Sequence, residues 1–253
     1  MSITATIITL NEEENIRDCI LSVQKVCDEV IVVDSLSQDK TVEIAESTGA
    51  TVYRQAYLGD GPQKAFAVPG AKNDWILSID ADERLEQDTI EAIQNLDLVN
   101  SHYDGYSLKR RNFVGEHWIK AAGFYPDRVV RLYHRERAGY LPRKAHSRVE
   151  GENIARLDAH IEHFTYRDYT HWVERINQLS SRDAWAKHQK GVKVTRFTPA
   201  LHATGALIRK LIFKGGIFQG QDGITVAVTT AFHAYMKYMK LIELKELSSR
   251  NKL

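Results

Sequence analysis

Four short runs rich in β-branched residues dominate the first hundred positions: ATIITL (Ala5–Leu10), EVIVVD (Glu29–Asp34), TVYRQ (Thr51–Gln55) and WILSID (Trp75–Asp80). Runs this apolar suit strands buried on both faces, as in a parallel sheet. Helix signals lie between them. Asn11 reads as an N-cap with Glu14 as its capping partner. Ile16, Cys19, Ile20, Val23 and Cys27 fall on one helical face. A helix is expected over Thr41–Ser47, stopped by Gly49, and a short one begins around Pro62 and ends near Pro69. Strand and helix in alternation confine the chain to an α/β fold with right-handed crossovers. Ligands of such sheets bind at the carboxyl ends of the strands. Asn11, Asp34 and Asp80 stand at those ends and are expected to converge on one crevice.

After residue 100 the pattern changes. GYSLKRRNF and RVVRLYH read as strands on either side of an aromatic loop, Trp118–Tyr125, and IEHFTY as another. Asp168 opens a helical pattern to about Lys190, with Trp172, Ile176, Leu179 and Trp185 roughly in register. From Thr198 onward the chain is helical, basic and apolar at once.

The length of 253 residues accommodates one large domain, or a domain with an extension. The two cysteines, Cys19 and Cys27, form no CxxC pair, which fits a reducing compartment and small core side chains. No secretory leader is read at the N-terminus, and no apolar run approaches the roughly 18 residues of a membrane span. Charge is unevenly spread. Residues 1–100 carry 7 Lys/Arg against 19 Asp/Glu, residues 101–190 carry 17 against 11, and residues 191–253 carry 10 against 3. An acidic first part suits a metal site, and a basic remainder suggests an anionic partner.

Asp80 and Asp82 close the fourth apolar run. Two carboxylates there repel unless something compensates, and Mg²⁺ or Mn²⁺ would. The plainer alternative is a solvated acidic turn, Glu83–Asp88, opening a helix. Asp34 is either a nucleoside acceptor or a turn residue ahead of Ser35 and Ser37, and Lys64 either a phosphate partner or a solvated side chain. Trp172 and Trp185 are expected in the core. The histidines show no HExxH spacing, and His160 and His163 stand far from any cysteine, so no zinc set is read.

TLNEEENI, EVIVVDSLSQDKTVEIAESTGA, GPQKAFA and WILSIDADE, in that order over about residues 3–95, resemble the donor-binding half of glycosyltransferase family 2. RRNFVGEHWIKAAGFYPDRVVRLYHR and GGIFQGQDGITVAVTTAFHAYMKYMKL resemble the branch with bacterial lipopolysaccharide inner-core β-glucosyltransferases. The resemblance implies a GT-A fold, Rossmann-like with a mostly parallel sheet, and an inverting transfer from a UDP-sugar, UDP-glucose in that branch, to a lipid A-linked core acceptor. It implies a uridine site near Thr9, Asn11, Glu12 and Asp34, a cation held mainly by Asp82 with Asp80 supporting it or the ribose, and Lys64 with Gln63 closing the pocket. Asp127 is the favoured general base, with Glu83 and Glu150 as rivals and pairing with Arg128 or Arg131 as the structural alternative. Two positions depart from the family pattern. Ala122-Gly123-Phe124-Tyr125-Pro126-Asp127 replaces Gly-Gly-Trp-Tyr-Pro-Asp, and His146-Ser147 replaces a His-Glu pair.

The expected organisation is a transferase domain over residues 1–190, divided near residue 100 into nucleotide-sugar and acceptor halves, and a helical region over 191–253. That region combines Leu207, Leu211, Phe218, Val228, Phe232, Tyr235 and Met239 with Arg209, Lys210, Lys214, Lys237 and Lys240, which suits a peripheral membrane interface. The expected location is the cytoplasmic face of the inner membrane, with no nucleic-acid partner and no protein partner inferable. A nucleotidyltransferase is disfavoured because its glycine-rich signature after the first strand is absent, and a non-catalytic relative because Asp80, Asp82 and Asp127 are intact.

Overall fold

A computed structural model describes residues 2–141 and 147–250. The fold is α/β. The chain runs β1 (Ile3–Thr9), α1 (Ile16–Val23), β2 (Glu29–Asp34), α2 (Thr41–Ser47), β3 (Thr51–Arg54), α3 (Asp60–Ala65), β4 (Trp75–Asp80), β5 (Glu83–Leu85) and α4 (Gln87–Gln94). It continues with β6 (Gly105–Val114), β7 (His117–Trp118), β8 (Asp127–His134), β9 (Gly139–Tyr140), β10 (Val149–Glu150) and β11 (Ile154–Tyr166). Helices α5 (Tyr169–Gln189), α6 (Thr198–Ile208) and α7 (Gly220–Arg250) end it. Two compact units result: Met1–Arg111 with Pro126–Phe164, and Asn112–Tyr125 with Thr165–Leu253. They do not follow a boundary at 190, because α5 packs along α7.

In the first unit the strands lie β3-β2-β1-β4, parallel, and β8 adds antiparallel to β4. Period-two alternation buries both faces. In β2, Val30 and Val32 join one core with Ile3, Ile7, Ile20 and Leu77, while Ile31 and Val33 join another with Ile76 and Tyr133. Parallel register pairs Thr9 with Asp34 and Ile8 with Asp80, so the carboxyl ends of β1, β2 and β4 form one row.

Two local expectations are corrected. Asn11 caps no helix. It takes a left-handed φ of 54°, its N–H donates to Ser37 Oγ (2.8 Å) and its Oδ1 accepts from the Gln38 N–H (2.9 Å), so it ties the two strand-end loops together. Helix α1 starts only at Ile16. Glu83 opens no helix either. It lies in β5, paired antiparallel with β11, and α4 follows at Gln87.

In the second unit Asp168 caps α5 as expected, accepting from the His171 N–H at 2.7 Å. Trp172, Ile176, Ser180 and Ala184 face inward. Trp185, expected in the core, is 54% exposed, because the 3.6-residue period puts Ala184 at the buried position. Among the described residues no helix is long and apolar enough to cross a membrane.

Candidate active site

In the first unit, a ladder of alternating charges begins at the carboxyl end of β4. Lys64, buried on α3, lies 2.7 and 3.0 Å from the two carboxylate oxygens of Asp80. Arg131, buried on β8, donates to Asp80 at 2.7 Å and also to Glu83. Glu83 is wholly buried, receives Arg110 at 3.3 Å and accepts from the Asp80 N–H at 3.2 Å. Arg110, on β6, then holds Asp127 through Nε (2.9 Å) and an Nη (2.7 Å). The sequence runs Lys64, Asp80, Arg131, Glu83, Arg110, Asp127.

These contacts compensate the Asp80 carboxylate. Burial would raise the Asp80 pKa, but Lys64 and Arg131 outweigh it and hold the carboxyl well below the ordinary carboxylate range. Burial likewise pulls the Lys64 ammonium down, and Asp80 returns it above its usual value. Asp82 turns elsewhere, to the His163 imidazole at 3.4 Å. Burial lowers the His163 pKa, and Asp82 more than reverses this.

Lys64, Asp80, Arg110, Arg131 and Tyr140 line a cavity of about 390 Å³ together with Asp60, Arg128 and Arg148. Five cations face two carboxylates, so the cavity is basic although the first hundred residues are acidic. The β9–β10 ribbon completes it by bringing the Tyr140 hydroxyl to Ser78 (3.1 Å) and its ring to within 5.6 Å of Lys64.

The other expected residues divide. The Thr9 hydroxyl, at the end of β1, is buried and meets no hydrogen-bond partner among the described residues. Glu12 accepts from Asn15 Nδ2 at 2.8 Å. Gln63 is fully buried and donates to Ser35 Oγ (3.1 Å) and the Gln55 carbonyl (3.2 Å), bracing the loop after β3. Asp34, read as either a nucleoside acceptor or a turn residue, is wholly buried. Its two oxygens accept the Ser37 N–H (3.0 Å) and the Ser37 hydroxyl, so it builds the loop after β2, whose Ser37 Oγ in turn accepts the Asn11 N–H. Asp127 pairs with Arg110 rather than with Arg128 or Arg131. Glu150 faces Arg148 at 3.3 Å, and His146 lies outside the described residues.

Arg131, Arg110 and His163 carry contacts that the sequence reading did not assign. One signal was available for Arg131: a cation between Val130 and Leu132 in an apolar strand needs a buried partner. A further group, Glu86, Asp88 and His160, gathers its ligand atoms within 4.8 Å, but His160 already bonds Asp88 (2.6 Å) and Arg111 takes Glu86.

The Glycosyl transferase family 2 model matches residues 4–164. An uncharacterized glycosyltransferase of Rickettsia typhi is 32% identical over 98% of this chain and 89% of its own length. The lipopolysaccharide core biosynthesis glycosyltransferase LpsC of Rhizobium meliloti is 27% identical over 99% of this chain and 95% of its own. Among solved structures, S. aureus TarS superposes with a TM-score of 0.50 at 14% identity, covering 90% of this chain and 55% of that one, a likeness of fold. With the matched span covering β1 to β11 and the charged cavity, the chain belongs to glycosyltransferase family 2.

Proposed function

We propose that the enzyme transfers glucose from UDP-glucose to a heptose of the lipopolysaccharide inner core, inverting the anomeric carbon. The carrying observation is the basic cavity at the carboxyl end of β4, bounded by the ladder from Lys64 to Asp127. A diphosphate is the kind of anion that five converging cations favour. The core acceptor draws support from LpsC, whose name assigns it to lipopolysaccharide core biosynthesis.

Thr9, Asn11 and Glu12 receive the nucleoside, while Asp34 and Gln63 shape the loops around it. Lys64 and Arg131 keep Asp80 ionised and oriented at the edge of the donor site. Asp82 and His163 offer a carboxylate and an imidazole 3.4 Å apart, a donor set that fits a divalent ion keeping its remaining positions for water and phosphate oxygens. Bound there, Mg²⁺ or Mn²⁺ would neutralise charge developing on the departing diphosphate. Asp127, oriented by Arg110, accepts the proton of the attacking acceptor hydroxyl, help worth about 10²–10⁴ in rate. Glu83, its former rival, is wholly buried and serves as counter-ion to Arg131 and Arg110. A lipid A-linked acceptor places the work on the cytoplasmic face of the inner membrane, with the enzyme peripheral to it.

The test is transfer from a panel of UDP-sugars to core oligosaccharide truncated at successive sugars, read by mass spectrometry. A hexose gain on the heptose-terminated acceptor, strongest with UDP-glucose, is expected. Transfer only to a different envelope glycan would replace the acceptor assignment, and no transfer or donor hydrolysis with any UDP-sugar would overturn the proposal.

A further inference from the structure

In the second unit, helix α6 passes through a π-helical turn (Arg209–Phe213) and a short 3₁₀ turn (Gly216–Phe218) into α7. The junction is packed by backbone. Gly215 has a left-handed φ of 66°, and a Cβ on Gly223 would stand 2.0 Å from the Gly216 carbonyl oxygen. A Cβ on Gly216 would meet the Lys210 carbonyl oxygen at 2.7 Å. With main chain filling the inside of the turn, its large side chains point out. Phe218 is 90% exposed and Phe213 79%, and Ile212 and Ile217 stand open beside them. Leu201 and Phe197 extend the apolar surface along α6. Scattered exposed apolar residues are ordinary, but a run of large ones on one rigid corner marks an interaction surface.

The charge around this corner selects its partner. Between Asp183 and Asp222 the chain has no Asp or Glu, while seven Lys or Arg fall in the same interval. Arg209 and Lys214 are exposed beside the phenylalanines. Lys210 instead donates to the Ala122 carbonyl at 2.7 Å, anchoring the turn to its own unit. Apolar tips flanked by exposed Arg209 and Lys214, with Asp222, the acid that follows in the chain, engaged by His117 at 2.9 Å, match an anionic lipid surface, where rings enter the acyl boundary and ammonium and guanidinium groups meet phosphates.

We infer that the Ile212–Phe218 corner is a wedge that inserts into anionic phospholipid and holds the enzyme at the membrane. This deepens the proposed peripheral location: a rigid corner enters first, where the sequence pattern suggested a helix lying flat. For its purpose it rests on the proposed lipid-linked acceptor. Its chemistry rests on the exposed residues alone.

Flotation with vesicles of equal parts phosphatidylethanolamine and phosphatidylglycerol, against phosphatidylcholine alone, tests it. The wild type should float with the anionic vesicles and release from them in high salt. Phe213→Ser with Phe218→Ser should lower the partition on the order of ten- to a hundredfold, with UDP release from UDP-glucose in vesicle-free buffer unchanged. Should that variant fold poorly, Phe218→Trp gives a second readout: its added emission shifts to the blue and is quenched by brominated lipid. Equal flotation of wild type and double variant, no flotation of wild type, or no spectral response of Phe218→Trp would overturn the wedge. A wild-type dimer that the double variant makes monomeric, with no lipid binding by either, would assign the corner to a second copy and overturn it too. A protein that floats but transfers no sugar sinks the catalytic proposal alone.

Discussion

Asp80 satisfies two buried cations, and most residue-scale consequences follow from that. Asp80→Asn leaves Lys64 and Arg131 undercompensated, and breaking a buried pair from one side costs about 3–5 kcal/mol. Urea denaturation near neutral pH should show that loss. The pH dependence has a definite sign. The folded pKa lies below the unfolded value of about 3.9, so the stabilisation is complete above that value and fades as pH falls toward the folded one. The gap between wild type and Asp80→Asn should therefore narrow in acid; a gap that widens below pH ~4 would contradict the pairing. Asp127→Asn should remove most turnover and keep UDP affinity by calorimetry, whereas weaker UDP binding with undiminished saturated rate would refute its role as base. His163→Ala, followed by the paramagnetic resonance of free Mn²⁺ in the presence of UDP, should weaken ion binding on the order of tenfold or more. Unchanged Mn²⁺ affinity would remove His163 from the set. At this scale the sequence was legible in which residues stand together at the strand ends, since register pairs Thr9 with Asp34 and Ile8 with Asp80. It was not legible where the partner lies far along the chain. Arg110 and Arg131 stand 27 and 48 residues beyond Glu83, so nothing local distinguishes Glu83 from a solvated acid.

Among the elements, β2, α2 and β4 fall on the expected boundaries, because uniform β-branched runs and a glycine stop are local signals. Strand β5 has three residues and exists only through β11, whose partner positions begin at Ile161. Local propensity therefore favoured a helix turn there, and tertiary pairing overrode it. Asn11 failed as a cap because its side chain is spent on the neighbouring loop, at Gln38. The cap that did form makes a prediction of its own. Asp168→Ala should cost about 1 kcal/mol in chemical denaturation, since the His171 N–H loses its acceptor. A neutral result would mean that the start of α5 is held by the Tyr166–Trp172 stack, at 4.8 Å, rather than by the cap.

Across the molecule, the uneven charge becomes intelligible. Asp60, Asp80, Asp82 and Glu83 of the candidate site come from the first hundred residues, and Arg110, Arg128, Arg131 and Arg148, with the single acid Asp127, come from the next ninety. Opposite halves of the charge pattern meet at one cavity, leaving it basic. The residue 191–253 excess includes Arg209 and Lys214, which are exposed at the α6–α7 corner. UDP binding should accordingly weaken as salt rises, because part of the attraction to the cavity is electrostatic. The most direct test of the central claim is UDP release from UDP-glucose with Mn²⁺ and heptose-terminated core acceptor, comparing wild type with Asp127→Asn and Asp82→Asn. UDP release coupled one-for-one to glucosylated acceptor in the wild type, and lost in both variants, is the predicted result. Wild-type activity in either variant, or a wild type that binds UDP yet never releases it from UDP-glucose, would contradict the account.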